Sequence, residues 1–160
     1  MEKQYLYILS NPRHEGLFKV GGTSKNPAIR ADQLSRQTGV IGKFQVEWSI
    51  VVPDWVLAEK MAHYLLRSQA EEKEYFKLNL LQTTEILTEK LRQFFELSAV
   101  EVYASEKVQK LINANVKANE AGRRMDALKE RAISILEEQE LEELSKEAVI
   151  VKERLQKINY

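Results

Sequence analysis

Five side chains in the first half of this chain have the types and order needed for attack on a phosphodiester: Tyr7, Lys19, Arg30, Glu59 and His63. Such a reaction asks for three things. A hard metal ion needs an oxygen ligand, and Mg²⁺ often takes only one or two carboxylates. The attacking water needs a base. The charge developing on phosphate needs a cation, best supplied by the planar fork of arginine. Glu59, Tyr7 and Arg30 match these roles in turn. A free tyrosine ionises near ~10, so it serves as a base only if a cation favours the phenolate; Lys19 is the side chain expected to do so. His63, four residues beyond Glu59, is suited to relaying a proton or touching phosphate. Residues 1–43 carry seven basic side chains against three acidic ones. From this group Arg13, Lys25 and Arg36 are assigned to nucleic-acid contact. Each feature also has a plainer reading: a half-buried sheet tyrosine, solvated surface charges, and a helix-surface pair of Glu59 with His63.

The elements that must position these residues are legible from periodicity. Tyr5–Leu9 and Leu17–Gly21 alternate with period two across a turn-rich Asn11-Pro12-Arg13-His14-Glu15-Gly16 segment, which predicts a hairpin. Leu6, Ile8, Phe18 and Val20 then line the core, and Tyr7 and Lys19 share the opposite face. Asn26-Pro27 reads as an N-cap with proline at the first helical position, opening a helix to about Gln37 with Ala28, Ala31 and Leu34 inward. Phe44, Val46, Trp48, Ile50 and Val52 alternate as a third strand with one buried face. A helix from Pro53-Asp54 to about Gln69 carries Leu57, Met61, Tyr64 and Leu65 as its apolar stripe and Glu59 and His63 on another face. A short extended piece, Glu74–Lys77, follows. The next helix is capped by Thr83 or Thr84, runs to about Leu97 and turns Leu87, Leu91 and Phe94 inward. Trp48 and Trp55 are read as packing residues, His14 as chemically idle, and Glu74 as pairing with backbone or a lysine.

With order and spacing in view, residues 4–80 resemble the GIY-YIG nuclease superfamily, in the branch found in phage open-reading-frame and meiotically up-regulated gene products. Tyr5-Leu6-Tyr7 stands at the first motif and Lys19-Val20-Gly21 at the second. Arg30 is the downstream arginine, and Ala58-Glu59-Lys60-Met61-Ala62-His63 matches the helix glutamate with its histidine. Glu74-Tyr75-Phe76 is similar to the closing motif of the branch. Leu9-Ser10-Asn11-Pro12 and Thr38-Gly39-Val40 read like its connecting segments. The resemblance implies an α+β domain built on a three-stranded antiparallel sheet flanked by helices, and Mg²⁺- (or Mn²⁺-) dependent cleavage of DNA. It implies that Tyr7 helps activate water, Arg30 stabilises phosphate and Glu59 is the metal ligand. The chain departs from the pattern at Tyr5 in place of glycine, at Lys19 in place of tyrosine, and at Gly22 where a basic residue often stands.

The back half is of another kind. Residues 54–160 contain no proline, and only Gly122 among the glycines lies beyond residue 42. Leu111, Ala114, Ala118, Ala121, Met125, Leu128, Ala132 and Ile135 recur at alternating spacings of three and four. Leu141, Leu144, Ala148, Val151, Leu155 and Ile158 resume the pattern after a phase break near Gln139. The first stretch is basic, and Glu137, Glu138, Glu140, Glu142, Glu143 and Glu147 form an acidic block. The expected organisation is a nuclease-like domain over 1–98 and a helical, coiled-coil-like tail over 99–160. The tail either associates with a second copy or folds back, on the front domain or on itself as a hairpin. The chain has no cysteine, which excludes disulfides, thiolate metal sites and cysteine nucleophiles. Equal totals of 24 basic and 24 acidic residues say nothing about partners. With no signal-like or membrane-spanning stretch, a cytoplasmic protein is expected. Two alternatives to an endonuclease stand: a DNA-binding module without turnover, and a phage or mobile-element accessory protein working through its tail.

Overall fold

β-Branched and aromatic residues in alternation make β1 (Gln4–Ser10) and β2 (Leu17–Thr23) an antiparallel pair with Tyr7 opposite Gly21 and Ile8 opposite Val20. The computed structural model describes residues 2–158. β1 is central: β3 (Gln45–Val52) pairs along its other edge. Three short strands complete the sheet: β5 (Tyr75–Lys77), which falls in the extended piece expected over Glu74–Lys77, and two not expected, β4 (Ala70–Glu72) and β6 (Val102–Ala104). The result is a six-stranded antiparallel sheet in the order β4-β5-β2-β1-β3-β6, twice the expected number of strands. Strands of three residues carry too little alternation for their place in a sheet to be read from sequence; pairing onto existing edges defines them. The fold is α+β, with helices on the sheet and a long C-terminal helix.

Both faces of the sheet are covered. On one, Leu6, Ile8, Val20, Trp48 and Ile50 are buried with Ala58, Ala62, Leu87 and Leu91. On the other, Tyr7 and Leu9 pack with Ala31, Leu34 and Phe44. Tyr7 is therefore a core residue, only 2% exposed, rather than one on an open face.

A bulge explains why the third strand does not keep one buried face. Ile8 pairs with Trp48 but Leu9 pairs with Val46, so Glu47 is the extra residue. Trp48 and Ile50 point to one layer, whereas Val46 and Phe44 point to the other. Glu47 itself is buried, accepting from Ser10 Oγ at 2.6 Å and Ser105 Oγ at 2.5 Å.

α1 (Pro27–Ser35) begins at Asn26, whose side chain accepts from the Ala28 amide at 2.9 Å. Its buried stripe is Pro27, Ala31 and Leu34; the expected Ala28 faces solvent. α2 (Trp55–Leu65) is capped by Asp54, which accepts from the Leu57 amide. Its buried face consists of Ala58 and Ala62, both at 0% exposure, while the expected Leu57 and Tyr64 are exposed. The two alanines let the helix lie close on the sheet, and a 3₁₀ turn over Arg67–Gln69 ends the segment. α3 (Leu80–Phe94) starts at Asn79 rather than at a threonine, so Thr83 and Thr84 are buried within it; Phe94 points outward.

α4 (Glu106–Ile158) is one uninterrupted helix. The first compact unit runs through Asn113, and the second begins at Ala114. Residues 99–113, assigned to the tail from sequence, thus join the first unit: β6 extends the sheet and Val108 is fully buried. In the second unit every residue from Val116 to Arg154 is exposed. Leu155 and Ile158, the last two stripe positions, lie outside the residues whose side chains are described. Among the described residues, no helix is long and apolar enough to cross a membrane.

Candidate active site

The site forms where β2 loses its neighbour. β5 pairs with Leu17–Lys19 only, and the Val20 amide reaches the Glu74 carbonyl at 3.1 Å. Beyond that point the edge of β2 is uncovered by strand. α2 covers it instead. The Glu59 carboxylate accepts the Gly22 amide through Oε2, and His63 Nε2 lies 2.8 Å from the Val20 carbonyl oxygen. A carbonyl only accepts, so Nε2 carries the proton. The i, i+4 pair acts as two clips on a strand edge, set beside the buried alanine face of α2.

A cleft of about 390 Å³ opens at this edge, lined by Tyr7 and Gly21 from one sheet face, Trp55 and Glu59 from α2, and Arg30 and Gln33 from α1. Lys25 and Glu74 also reach it. A larger hollow of about 760 Å³ lies elsewhere, by Lys3 and Val100. Its lining cation, Lys3, is already paired with Glu101 at 2.7 Å, and among the described residues no arginine or histidine lines it.

Tyr7 stands at the floor. Burial pushes its phenol above the ordinary tyrosine value; the Arg30 guanidinium pulls the other way through a hydrogen bond and its charge, and Glu59 and Glu74 add to the upward push. The balance is upward, so Tyr7 is a neutral phenol at neutral pH. This reverses the expectation that Lys19 would favour a phenolate. Lys19 points instead to the Glu74 carboxylate and over the Tyr75 ring, 5.5 Å from its centre. The cation beside Tyr7 is Arg30.

The structure brings Tyr7, Arg30, Glu59 and Lys25 into one cleft. Lys19 borders it through Glu74. His63 faces the Val20 carbonyl and the Phe76 ring, 5.2 Å between centres, and does not line the cleft. Arg13 sits in the β1–β2 turn against Gly42, where the buried Asn11 ties the turn together by accepting the Arg13 amide and donating to Ile41. Arg36 pairs with Asp32 at 2.6 Å on the exposed end of α1. Neither Arg13 nor Arg36 reaches the cleft.

Glu74, Gln33 and Trp55 are among the lining residues not assigned to the site from sequence. Glu74 is held by backbone and lysine together, where its plainer reading expected one or the other, and this places its carboxylate at the cleft. Gln33 lies one helical turn beyond Arg30, so helical spacing marks it. Trp55 had no such signal. A Cβ at Gly22 would stand 2.6 Å from Trp55 Cε3 and 2.7 Å from its carbonyl oxygen. Trp55 thus fills the space where a basic side chain would otherwise stand, which accounts for glycine at position 22.

A divalent cation can be tested against these donors. Among the described residues no three His, Cys, Asp or Glu side chains form a metal cage. Glu59 offers one fixed oxygen and one without a protein hydrogen bond among the described residues. A single carboxylate suits Mg²⁺ or Mn²⁺, which keep waters and share phosphate oxygens, and does not suit a closed structural zinc site. The residues fit the expected metal.

Compared with known families, residues 4–113 match the family model described as the T5orf172 domain. Neither a curated protein nor a solved structure matches the chain.

Proposed function

Since the chain belongs to the T5orf172 domain family across residues 4–113, we propose that it is a GIY-YIG-type, metal-dependent DNA endonuclease that hydrolyses phosphodiester bonds. The observation that carries this reading is the convergence of Tyr7, Arg30 and Glu59, from β1, α1 and α2, on one cleft at the uncovered edge of β2.

In this reading Arg30 neutralises a phosphate oxygen with its guanidinium, beside the neutral Tyr7 phenol. The Tyr7 hydroxyl donates a hydrogen bond that orients water or phosphate. Glu59 would hold Mg²⁺ or Mn²⁺ through the oxygen left free by Gly22. When bound, the metal lowers the pKa of a coordinated water and offsets charge on the scissile phosphate. Lys25, at the rim, would attract the DNA backbone. His63 supports the site through Val20 rather than by proton relay, and Lys19 does so through Glu74. The helical tail would join two copies, and two linked sites can address both strands.

Supercoiled plasmid with Mg²⁺ or Mn²⁺ tests the reading. Wild-type protein should nick it; Glu59→Ala and Arg30→Ala should not. Equal nicking by all three would refute the site.

A second reading, DNA binding without turnover, is favoured by one observation: burial keeps Tyr7 protonated and Lys19 is held by Glu74, so the cleft lacks a ready base. It expects salt-sensitive gel retardation of DNA and no cleavage under any metal.

A further inference from the structure

Residues 114–154 leave one exposed stripe unmatched. Met125 is 56% exposed, Leu128 62%, Leu141 68% and Leu144 62%. A single helix bearing such a stripe over several heptads needs a partner in water. The helix is unbroken, so its basic and acidic parts cannot meet within one chain.

The charges along it are segregated. Residues 114–131 hold five basic and three acidic side chains, whereas 137–147 hold six acidic and one basic. Among the described residues, Arg123, Arg124 and Arg131 form no intrachain ion pair, and neither do Glu137, Glu138 and Glu143. The side-chain sizes are segregated too: the stripe is alanine-rich before Met125 and leucine- and valine-rich after Gln139.

From these we infer that the tail pairs with a second copy of itself as an antiparallel coiled coil centred near Ile133. The inference rests on the self-association of the tail proposed above and is independent of nuclease activity.

Pairing each position with the one equidistant from Ile133 brings apolar positions together on either side of the centre, while near the centre Leu128 falls level with Glu138 and Ile135 with Arg131. Met125 meets Leu141, Ala118 meets Ala148, and Ala121 falls within one residue of Leu144. The same register puts Arg123 level with Glu143, Arg124 with Glu142, and Lys129 with Glu137. Glu120 meets Lys146, and Asp126 with Glu140 is the like-charge exception. A parallel, in-register pair does the opposite. It sets the acidic block against its own copy, which is unfavourable.

The absence of cysteine makes the orientation directly readable. Full-length chains carrying Met125→Cys and, separately, Leu141→Cys are mixed and equilibrated in a glutathione redox buffer. The antiparallel pair predicts the mixed 125–141 disulfide as the dominant dimer. Dominant 125–125 and 141–141 disulfides in a protein that is dimeric by light scattering would overturn the orientation while keeping self-association. A monomeric mass for the wild-type chain at tens of micromolar would overturn self-association itself. As a second arm, Arg123→Glu with Arg124→Glu should weaken the dimer on the order of tenfold. Adding Glu142→Arg and Glu143→Arg should restore it; no restoration counts against the register.

Discussion

Tyr7 lies directly across the β1–β2 pair from Gly21, and a Cβ on that glycine would stand 2.6 Å from the phenolic oxygen and 2.9 Å from Cζ. The ring thus occupies the space that any side chain at position 21 would need. Because Tyr7 is almost wholly buried, it has little room to yield.

Gly21→Ala should therefore destabilise the fold by about 1–3 kcal/mol, the usual range for overpacking a core. Tyr7→Phe, which removes only the hydroxyl, should be the milder change. Urea denaturation of both variants reads the difference. Equal effects would mean that the ring has no steric claim on position 21.

The environment of Tyr7 fixes the direction of its titration. Burial raises the phenol, so the folded state favours the neutral form. That contribution is fully present below the unfolded-state value of about 10 and is lost as pH rises through the higher folded value. Absorbance at the phenolate band, taken as wild type minus Tyr7→Phe, should show ionisation above that of a free tyrosine. Arg30→Ala should move it higher still, because the guanidinium opposes the shift. A downward move in Arg30→Ala would contradict the assignment of Arg30 as the neighbouring cation.

Glu59→Gln separates fold from chemistry. The amide oxygen can still accept from Gly22, so stability should change little, while the negative charge that would hold a divalent metal disappears. Metal-dependent nicking should fall steeply, and chelation of the wild type should abolish nicking reversibly, with Mg²⁺ or Mn²⁺ restoring it. Arg30→Ala should lose on the order of 10²–10³-fold in rate, as for removal of a group stabilising transition-state charge. Calorimetric titration of Mg²⁺ in the presence of DNA checks the metal arm independently of rate.

His63 is a positioning residue in this arrangement. His63→Ala leaves the Val20 carbonyl unpaired at a partly buried edge and should destabilise by about 1–3 kcal/mol. Glutamine presents its amide N–H at a similar reach, so His63→Gln should recover much of that loss. Thermal melts compare the three forms. Activity that tracks stability supports positioning; activity lost in a fully stable His63→Gln would instead indicate chemistry at the imidazole.

Much of this architecture can be read from residue patterns, for identifiable reasons. Leu6, Ile8, Phe18 and Val20 alternate cleanly and lie in one layer, and Asn26-Pro27 starts a helix where its cap geometry says it should. Arg30 and Glu59 share a cleft with Tyr7 because two helices begin one short turn after β2 and β3. What escapes is anything decided by a single residue or a close approach. Glu47 forms a bulge that sends Val46 and Trp48 to different layers, yet strict alternation is the simplest reading of that strand. α2 buries Ala58 and Ala62 in preference to the larger Leu57 and Tyr64, because contact with the sheet rewards small side chains that hydrophobicity alone ranks low. That choice of face is what lets Glu59 and His63 reach β2. The placement of Lys19 against Glu74 depends on the pairing of β5 with β2, a partner and register that the extended pattern of Glu74–Lys77 does not specify.

The two clips on β2 have a meaning beyond the site. A strand whose N–H and C=O groups face solvent is a template for another strand, and a protein that leaves one open risks edge-to-edge association. β5 stops short, so Val20 and Gly22 would present such an edge. His63 takes the carbonyl and Glu59 the amide, leaving an incoming strand neither group to pair with. The gap in the sheet can therefore stay open to a ligand without inviting polymerisation, and a protein altered at both Glu59 and His63 would be expected to fail first in solubility.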